Sequence, residues 1–237
     1  MYITLPPHYG GGLERGSMIK NIIFDFGGVL LDLRPDRCIE QFEALGYGRI
    51  REVLSMAHQQ GPLGQVEEGL LTLDAFCQEI RQEILREHSD WSQAQLPDNR
   101  QIVGAFCSMA DGIPHERLDI LNDLKHEGYH VSALSNTNWI HWGYCQRYFV
   151  ENGYVPEELF EYVWLSCELH LAKPDPRIFA KVLELSGYNP VETLFVDDNP
   201  KNCEVAQSLG IHTYCAPVRT DWRKELRDKI AQINNQD

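Results

Sequence analysis

Asn21-Ile22-Ile23-Phe24-Asp25-Phe26-Gly27-Gly28-Val29-Leu30 is the stretch on which the fold turns. Asn21 to Asp25 is a short apolar run that ends in a carboxylate. A strand apolar on both faces suits the interior of a parallel sheet, where helices cover each side. Gly27 and Gly28 follow the carboxylate at once, and glycine lets backbone groups approach a ligand closely.

Outward from this strand the chain changes character twice. Residues from 36 to about 110 show helical spacing only, over Asp36–Leu45, Arg49–Gln59, Leu73–Glu87 and Asp98–Ala110. In the third segment Leu73, Phe76, Ile80 and Ile84 recur on one face behind Thr72, an N-cap residue type. Gly61-Pro62-Leu63-Gly64 reads as a break in this run. Strands and helices then alternate: Pro114–Glu127 as helix, Tyr129–Leu134 as strand, Asn138–Phe149 as helix, Tyr162–Ser166 as strand and Pro174–Leu185 as helix. Thr193–Asp197, Pro200–Leu209 and Ile211–Tyr214 continue as strand, helix and strand. Repeated βα units predict an α/β fold, a Rossmann-like parallel sheet with helices on both faces. The expected organisation is an N-terminal tail over 1–17, a core from 18–33 and 112–237, and a small helical-bundle cap over 34–111. Met18 is a candidate start, because the first strong strand begins just after it.

Composition narrows the function classes. Of 237 residues 43% are hydrophobic, enough for a sizeable core. The 21 Lys and Arg against 35 Asp and Glu give a net charge of −14, which argues against binding nucleic acid or an anionic membrane surface. No apolar run approaches the roughly 20 residues that span a bilayer. Seven cysteines occur without a CxxC pair, so neither a zinc ribbon nor a redox motif is expected. Free thiols in a reducing cytoplasm are the expectation.

In open parallel sheets the ligand sits beyond the carboxyl ends of the strands. Three predicted strands end there in polar residues: Asp25, then Ser135-Asn136-Thr137-Asn138, then Asp197-Asp198-Asn199. Lys173 lies in the loop before the helix expected over Pro174–Leu185. Asp25 with Asp197 or Asp198 makes a hard, all-oxygen site suited to Mg²⁺, its waters and a phosphate oxygen. Ser135 and the backbone N–H after it can donate to a phosphoryl oxygen. Lys173 supplies positive charge to an attacking carboxylate and a phosphoryl group. Together these parts suit phosphoryl transfer, which needs chiefly positioning and charge stabilisation.

With those motifs in that order, the sequence resembles the haloacid dehalogenase-like hydrolase superfamily over about residues 19–215. The resemblance rests on Phe24-Asp25-Phe26-Gly27-Gly28-Val29-Leu30, Leu134-Ser135-Asn136, Lys173-Pro174 and Phe195-Val196-Asp197-Asp198-Asn199. It implies Asp25 as nucleophile, Ser135, Asn136 and Lys173 as phosphate partners, and Mg²⁺ held by Asp25, the Gly27 carbonyl and the motif-four carboxylates. By that pattern Asp198 is the direct ligand, with Asp197 direct or one step behind. It also implies a Mg²⁺-dependent phosphatase for a small phosphorylated metabolite, a sugar phosphate among the candidates; the expected working form is a monomer or homodimer. A bacterial subgroup that includes a glucose-1-phosphate phosphatase shares the local pattern.

One position departs from the wider superfamily. Most of its phosphatases carry an Asp two residues after the nucleophile as general acid and base, and here that residue is Gly27. The replacement is open, with Asp32 and His141 as candidates near the motifs. His58, Gln59, Gln65 and Glu67 lie near the predicted break in the cap and are read as solvated, as are the pairs Glu67-Glu68 and Glu157-Glu158. Trp139 and Trp142 are read as core with the cleft as the alternative. Two other functions stay in view: a non-catalytic phospho-ligand binding protein and a hydrolytic dehalogenase, the latter disfavoured by the metal-binding Asp197-Asp198 pair.

Overall fold

The computed structural model describes residues 18–54 and 61–235. Strand β1 (Asn21–Phe24) leads into α1 (Pro35–Ala44), α2 (Ile50–Val53), α3 (Gly61–Glu67), α4 (Leu73–Glu87) and α5 (Asn99–Cys107). Helix α6 (His115–His126) returns the chain to β2 (His130–Ser135), which α7 (Trp139–Glu151) and α8 (Pro156–Leu159) connect to β3 (Val163–Leu165). Then come α9 (Ser166–Leu169), α10 (Pro176–Ser186), β4 (Thr193–Asp197), α11 (Pro200–Ser208), β5 (His212–Cys215) and α12 (Arg223–Asn234).

The five strands form one parallel sheet in the order β3-β2-β1-β4-β5. Central β1 pairs on both sides, with Phe24 level with Ala133 and with Val196. The chain builds outward from β1 to β3 and then crosses back to β4. The reversal falls between β1 and β4, so Asp25 and Asp197 end neighbouring strands at the crevice where such sheets bind ligands.

Side chains alternate across the sheet with period two, and each face has its own core. Ile22, Phe24, Val131, Ala133, Leu194 and Val196 pack with residues of α6, α7 and α12, including Leu121, Phe149 and Leu226. Ile23, Leu134 and Phe195 face the other way, against Ile178, Phe179 and Val182 of α10 and Ala206 of α11. This two-sided cover is why the β1 sequence shows no polar alternation.

A third core belongs to the helices after β1. Cys38 and Phe42 of α1, Leu63 and Val66 of α3, Phe76, Ile80 and Ile84 of α4, and Ile102 and Phe106 of α5 pack together. The Thr72 side chain caps α4 by accepting from the Ala75 N–H at 3.3 Å. Asp98 and Gln101 cap α5 reciprocally, at 2.8 and 2.9 Å. The two chain crossings between these helices and the sheet run side by side. Asp32 N–H donates to Gly112 O and Asp111 N–H to Asp32 O, both at 2.9 Å, and Arg34 N–H donates to Met109 O at 2.7 Å.

Three elements differ from the sequence expectation. The Gly61-Pro62-Leu63-Gly64 segment opens α3 instead of breaking the run, because a proline in a first turn lacks only an N–H that has no helical partner there. Of the helix expected over Arg49–Gln59, α2 covers Ile50–Val53, and residues 55–59, His58 and Gln59 among them, lie outside the described residues. Helix α12 was not expected, although Leu226, Ile230 and Ile233 are its buried stripe at helical spacing. Among the described residues no helix is long and apolar enough to cross a membrane.

Candidate active site

The carboxyl ends of the strands open into a cavity of about 340 Å³, bounded by the sheet and by the helices after β1. Asp25, Gly27, Ser135, Asn136, Lys173 and Asp198 all line it, and Asp197 is fully buried just beneath. The predicted site residues therefore meet at one place, drawn from three strand ends and one loop.

Lys173 is the hub. Its Nζ lies 2.8 Å from Asp25 Oδ1 and 2.8 Å from Asp197 Oδ2, and it donates to Leu134 O at 3.0 Å. Three acceptors match the three protons of an ammonium group. Burial works against the lysine's charge, but the carboxylates of Asp197 and Asp25 outweigh it and hold the pKa above the ordinary lysine value. The Asn136 amide fixes the loop, donating to Lys173 O at 2.7 Å and accepting from Lys173 N–H at 2.8 Å. With its side chain committed in this way, the group Asn136 has left for a phosphate is its backbone N–H.

The two motif-four carboxylates differ in surroundings. Asp197 accepts from Lys173, from Asn202 Nδ2 at 3.0 and 3.1 Å, and from Asn199 N–H at 2.8 Å. Both its oxygens are thus engaged by protein. Asp198 faces the cavity. Gly28 has φ +82, and a Cβ there would stand 2.5 Å from Asp198 Oδ2, so glycine is what lets this carboxylate sit against the chain after Asp25.

These residues fit a divalent cation. One oxygen from each of Asp25, Asp197 and Asp198 lies within 4.8 Å of the others. Burial pushes the Asp25 carboxyl above its ordinary range, Lys173 pulls it down, and Asp197 pushes it up again. Asp198 is raised by burial and by Asp197. Three carboxylates crowded near one lysine form an anionic set that a cation would relieve.

The remaining candidates divide. His141 lines the cavity, but its Nε2 donates to Phe106 O at 3.0 Å, and burial lowers its pKa to about 4. It is a neutral strut between α7 and α5. Asp32 pairs with Arg117 at 2.8 Å beside the chain crossings and does not border the cavity. Trp142 is buried against Phe26 and Phe149, whereas Trp139 is exposed. Gln65 is exposed. Glu67 was read as solvated, yet with Gly64 and Glu68 it forms part of the cavity wall. Reading 61–64 as a break hid this. Had it been read as a helix, Leu63 and Val66 would form the packed face, with Gly64 and Glu67, three residues apart, forming the adjoining stripe.

A profile of the haloacid dehalogenase-like hydrolases matches residues 19–210. A D-ribitol-5-phosphate phosphatase from Bacteroides thetaiotaomicron is 34% identical over 211 residues, covering 88% of this chain and 97% of that protein. The crystal structure of a HAD family enzyme from Bacteroides thetaiotaomicron, in complex with magnesium and inorganic phosphate, superposes with a TM-score of 0.78 at 40% identity. That match covers 88% of this chain and all (100%) of the other. A predicted HAD-like hydrolase from Porphyromonas gingivalis matches with a TM-score of 0.76 at 31% identity, over 90% and 98% of the two chains. With its motifs gathered at one cavity and a family match that runs from residue 19 to 210, the chain belongs to the haloacid dehalogenase-like hydrolases.

Proposed function

We propose that this hydrolase is a Mg²⁺-dependent phosphatase that cleaves the phosphate ester of a small sugar or sugar alcohol through an aspartyl-phosphate on Asp25. The observation that carries the reading is the Lys173 hub, which holds Asp25 at the cavity floor while Asp198 stays turned to the cavity. The similarity to a D-ribitol-5-phosphate phosphatase supports the substrate class.

Asp25 Oδ attacks phosphorus, and Lys173 offsets the repulsion between that carboxylate and the phosphoryl oxygens. Ser135 Oγ and the Asn136 N–H donate to the phosphoryl oxygens. Asp25, the Gly27 carbonyl and Asp198 are the groups that would hold Mg²⁺, with Asp197 kept for Lys173. Bound there, the ion supplies positive charge to the phosphoryl oxygens and favours the ionised form of Asp25. Residues 34–111 act as the cap that closes over substrate, and 18–33 with 112–237 as the core. All seven cysteines are free thiols, which supports a reducing cytoplasm as the place of work, with a monomer or homodimer as the working form.

The test is phosphate release over a panel of sugar, sugar alcohol and nucleotide monophosphates, with Mg²⁺ and after EDTA. The expected outcome is metal-dependent, EDTA-reversible release that is highest on polyol and pentose phosphates. Absence of release from every panel member with Mg²⁺ present would count against the reading.

A further inference from the structure

The reaction needs a proton for the departing alcohol, and the position that provides it in most related phosphatases is Gly27, which has no side chain. Among the cavity-lining groups, Asp25, Lys173 and Asp198 are engaged in the charged set, and the His141 Nε2 proton is given to Phe106 O. The Cys145 thiol is pushed up to about 12 by burial. That leaves the carboxylates on the wall opposite in sequence, Glu67 and Glu68, at the end of α3.

The end of α3 is fastened to the core. Ser166 Oγ lies 2.7 Å from Glu67 O, where it can donate, and also accepts from Thr137 N–H at 2.9 Å, just after Ser135 and Asn136. His170 Nδ1 lies 2.9 Å from Glu68 O. Gly69, at φ +71, comes so close to the core that a Cβ there would stand 2.1 Å from Cys167 O. Leu63 and Val66 bury the other side of the helix in the cap core. Glu67 is thus held on a rigid element tied by its own carbonyl to the loop that follows the phosphate-binding segment.

The geometry points to Glu67 as the general acid and base of this enzyme, taking from the cap the role left vacant at Gly27. Burial raises its carboxyl to about 8, with the Glu68 charge adding to the rise, so it carries a proton at neutral pH. This inference rests on the phosphatase reading above. As Asp25 Oδ bonds to phosphorus, the ester P–O bond breaks with its electron pair on the alcohol oxygen, which takes the Glu67 proton and leaves as neutral alcohol. Glu67, now a carboxylate, takes a proton from the water that attacks the aspartyl-phosphate. The bond from phosphorus to Asp25 breaks with its electrons on the Asp25 carboxylate, inorganic phosphate leaves, and Glu67 is protonated again.

The experiment is a leaving-group series, from nitrophenyl phosphates to simple alkyl phosphates, on the parent, Glu67→Gln, Glu68→Gln and Asp25→Asn. kcat/KM is the readout, because it reports the steps through alcohol release and not the later hydrolysis. Glu67→Gln should lose about 10²-fold or more on alkyl esters and change little on nitrophenyl esters, whose leaving groups need no proton. Gln keeps the size of Glu, and a melting temperature no lower than the parent's with unchanged inorganic phosphate binding in Mg²⁺ confirms the fold. An equal loss across the series, no loss at all, or the same split from Glu68→Gln instead would overturn the assignment. Asp25→Asn separates the two readings: if it keeps turnover, the aspartyl-phosphate route itself fails, whereas its inactivity beside an unsplit Glu67→Gln overturns only the acid.

Discussion

Asp197 and Asp198 are adjacent in sequence and hold different posts, and single substitutions should separate them. Asp197→Ala removes three hydrogen-bonding partners' acceptor and leaves Lys173 buried with one counter-charge. Breaking such a buried pair costs about 3–5 kcal/mol, so the chemical-denaturation midpoint should fall sharply. Asp198→Ala removes a carboxylate whose charge the fold already disfavours, so stability should hold while the Mg²⁺ concentration for half-maximal activity rises. A stability loss in Asp198→Ala equal to that in Asp197→Ala would show that both carboxylates are structural. Gly27→Asp belongs to the same scale. Gly27 is not at positive φ, and a Cβ there would stand 3.2 Å from Leu33 Cδ1, the end of a flexible side chain. The variant should fold, and in the Glu67→Gln background it should restore at least about tenfold on alkyl phosphates, read as kcat/KM; no gain with normal Mg²⁺ binding would mean that an acid at 27 cannot reach the leaving group. The meeting of Asp25, Ser135, Lys173 and Asp198 at one cavity was legible in the sequence because each sits at a fixed offset from a strand or helix end. The working side of Glu67 was not, since it depends on how a separate helical layer docks.

Turn signals at the start of helix α3 conceal a wall of the cavity. Gly61 and Pro62 are strong turn signals, and only packing shows that they begin a helix whose Leu63 and Val66 join the cap core. The strands were readable to within a residue or so because a two-sided apolar cover writes itself as continuous apolar runs: Thr193–Asp197 was expected and found at the same bounds. Helices α8 and α9, of four residues each, are too short to show a period. The docking of α3 yields its own prediction. Gly69→Ala adds a methyl where Cys167 O already stands, on a backbone at φ +71 that an L side chain rarely adopts. The end of α3 should shift away from α9, carrying Glu67 with it, while the cap core stays packed. A displacement of about 1 Å at a catalytic group can cost about 10²-fold in rate. The expected result is a large fall in kcat/KM on alkyl phosphates with Mg²⁺ affinity preserved, since no metal-binding residue lies on that helix. Parent-like kinetics would show that the contact between Gly69 and Cys167 does not position the cap.

For the molecule as a whole, the net charge of −14 sits beside a cavity that collects anions around one lysine, so folding keeps several carboxyl groups under strain. Glu67 makes this measurable without any substrate. Its carboxyl has an ordinary value near 4.5 in the unfolded chain and about 8 in the fold. The folded state therefore binds the proton more tightly, and ionising Glu67 works against folding. Below pH 4.5 both states are protonated and the group costs nothing. As pH rises from 4.5 to 8 the unfolded chain gains from ionisation while the fold does not, so the stability supplied by the protonated form is progressively lost, and above 8 the loss is complete. Glu67→Gln cannot ionise and escapes this loss. The variant should match the parent in thermal stability near pH 4.5 and exceed it at pH 8.5, by an amount on the order of a few kcal/mol. The strained carboxyls of Asp25 and Asp198 are present in both proteins and cancel in the difference. Melting temperatures of the two proteins in EDTA, taken across that range, provide the check. Curves that run parallel at every pH would mean that Glu67 is ionised as freely in the fold as in water, and that it is no store for a catalytic proton.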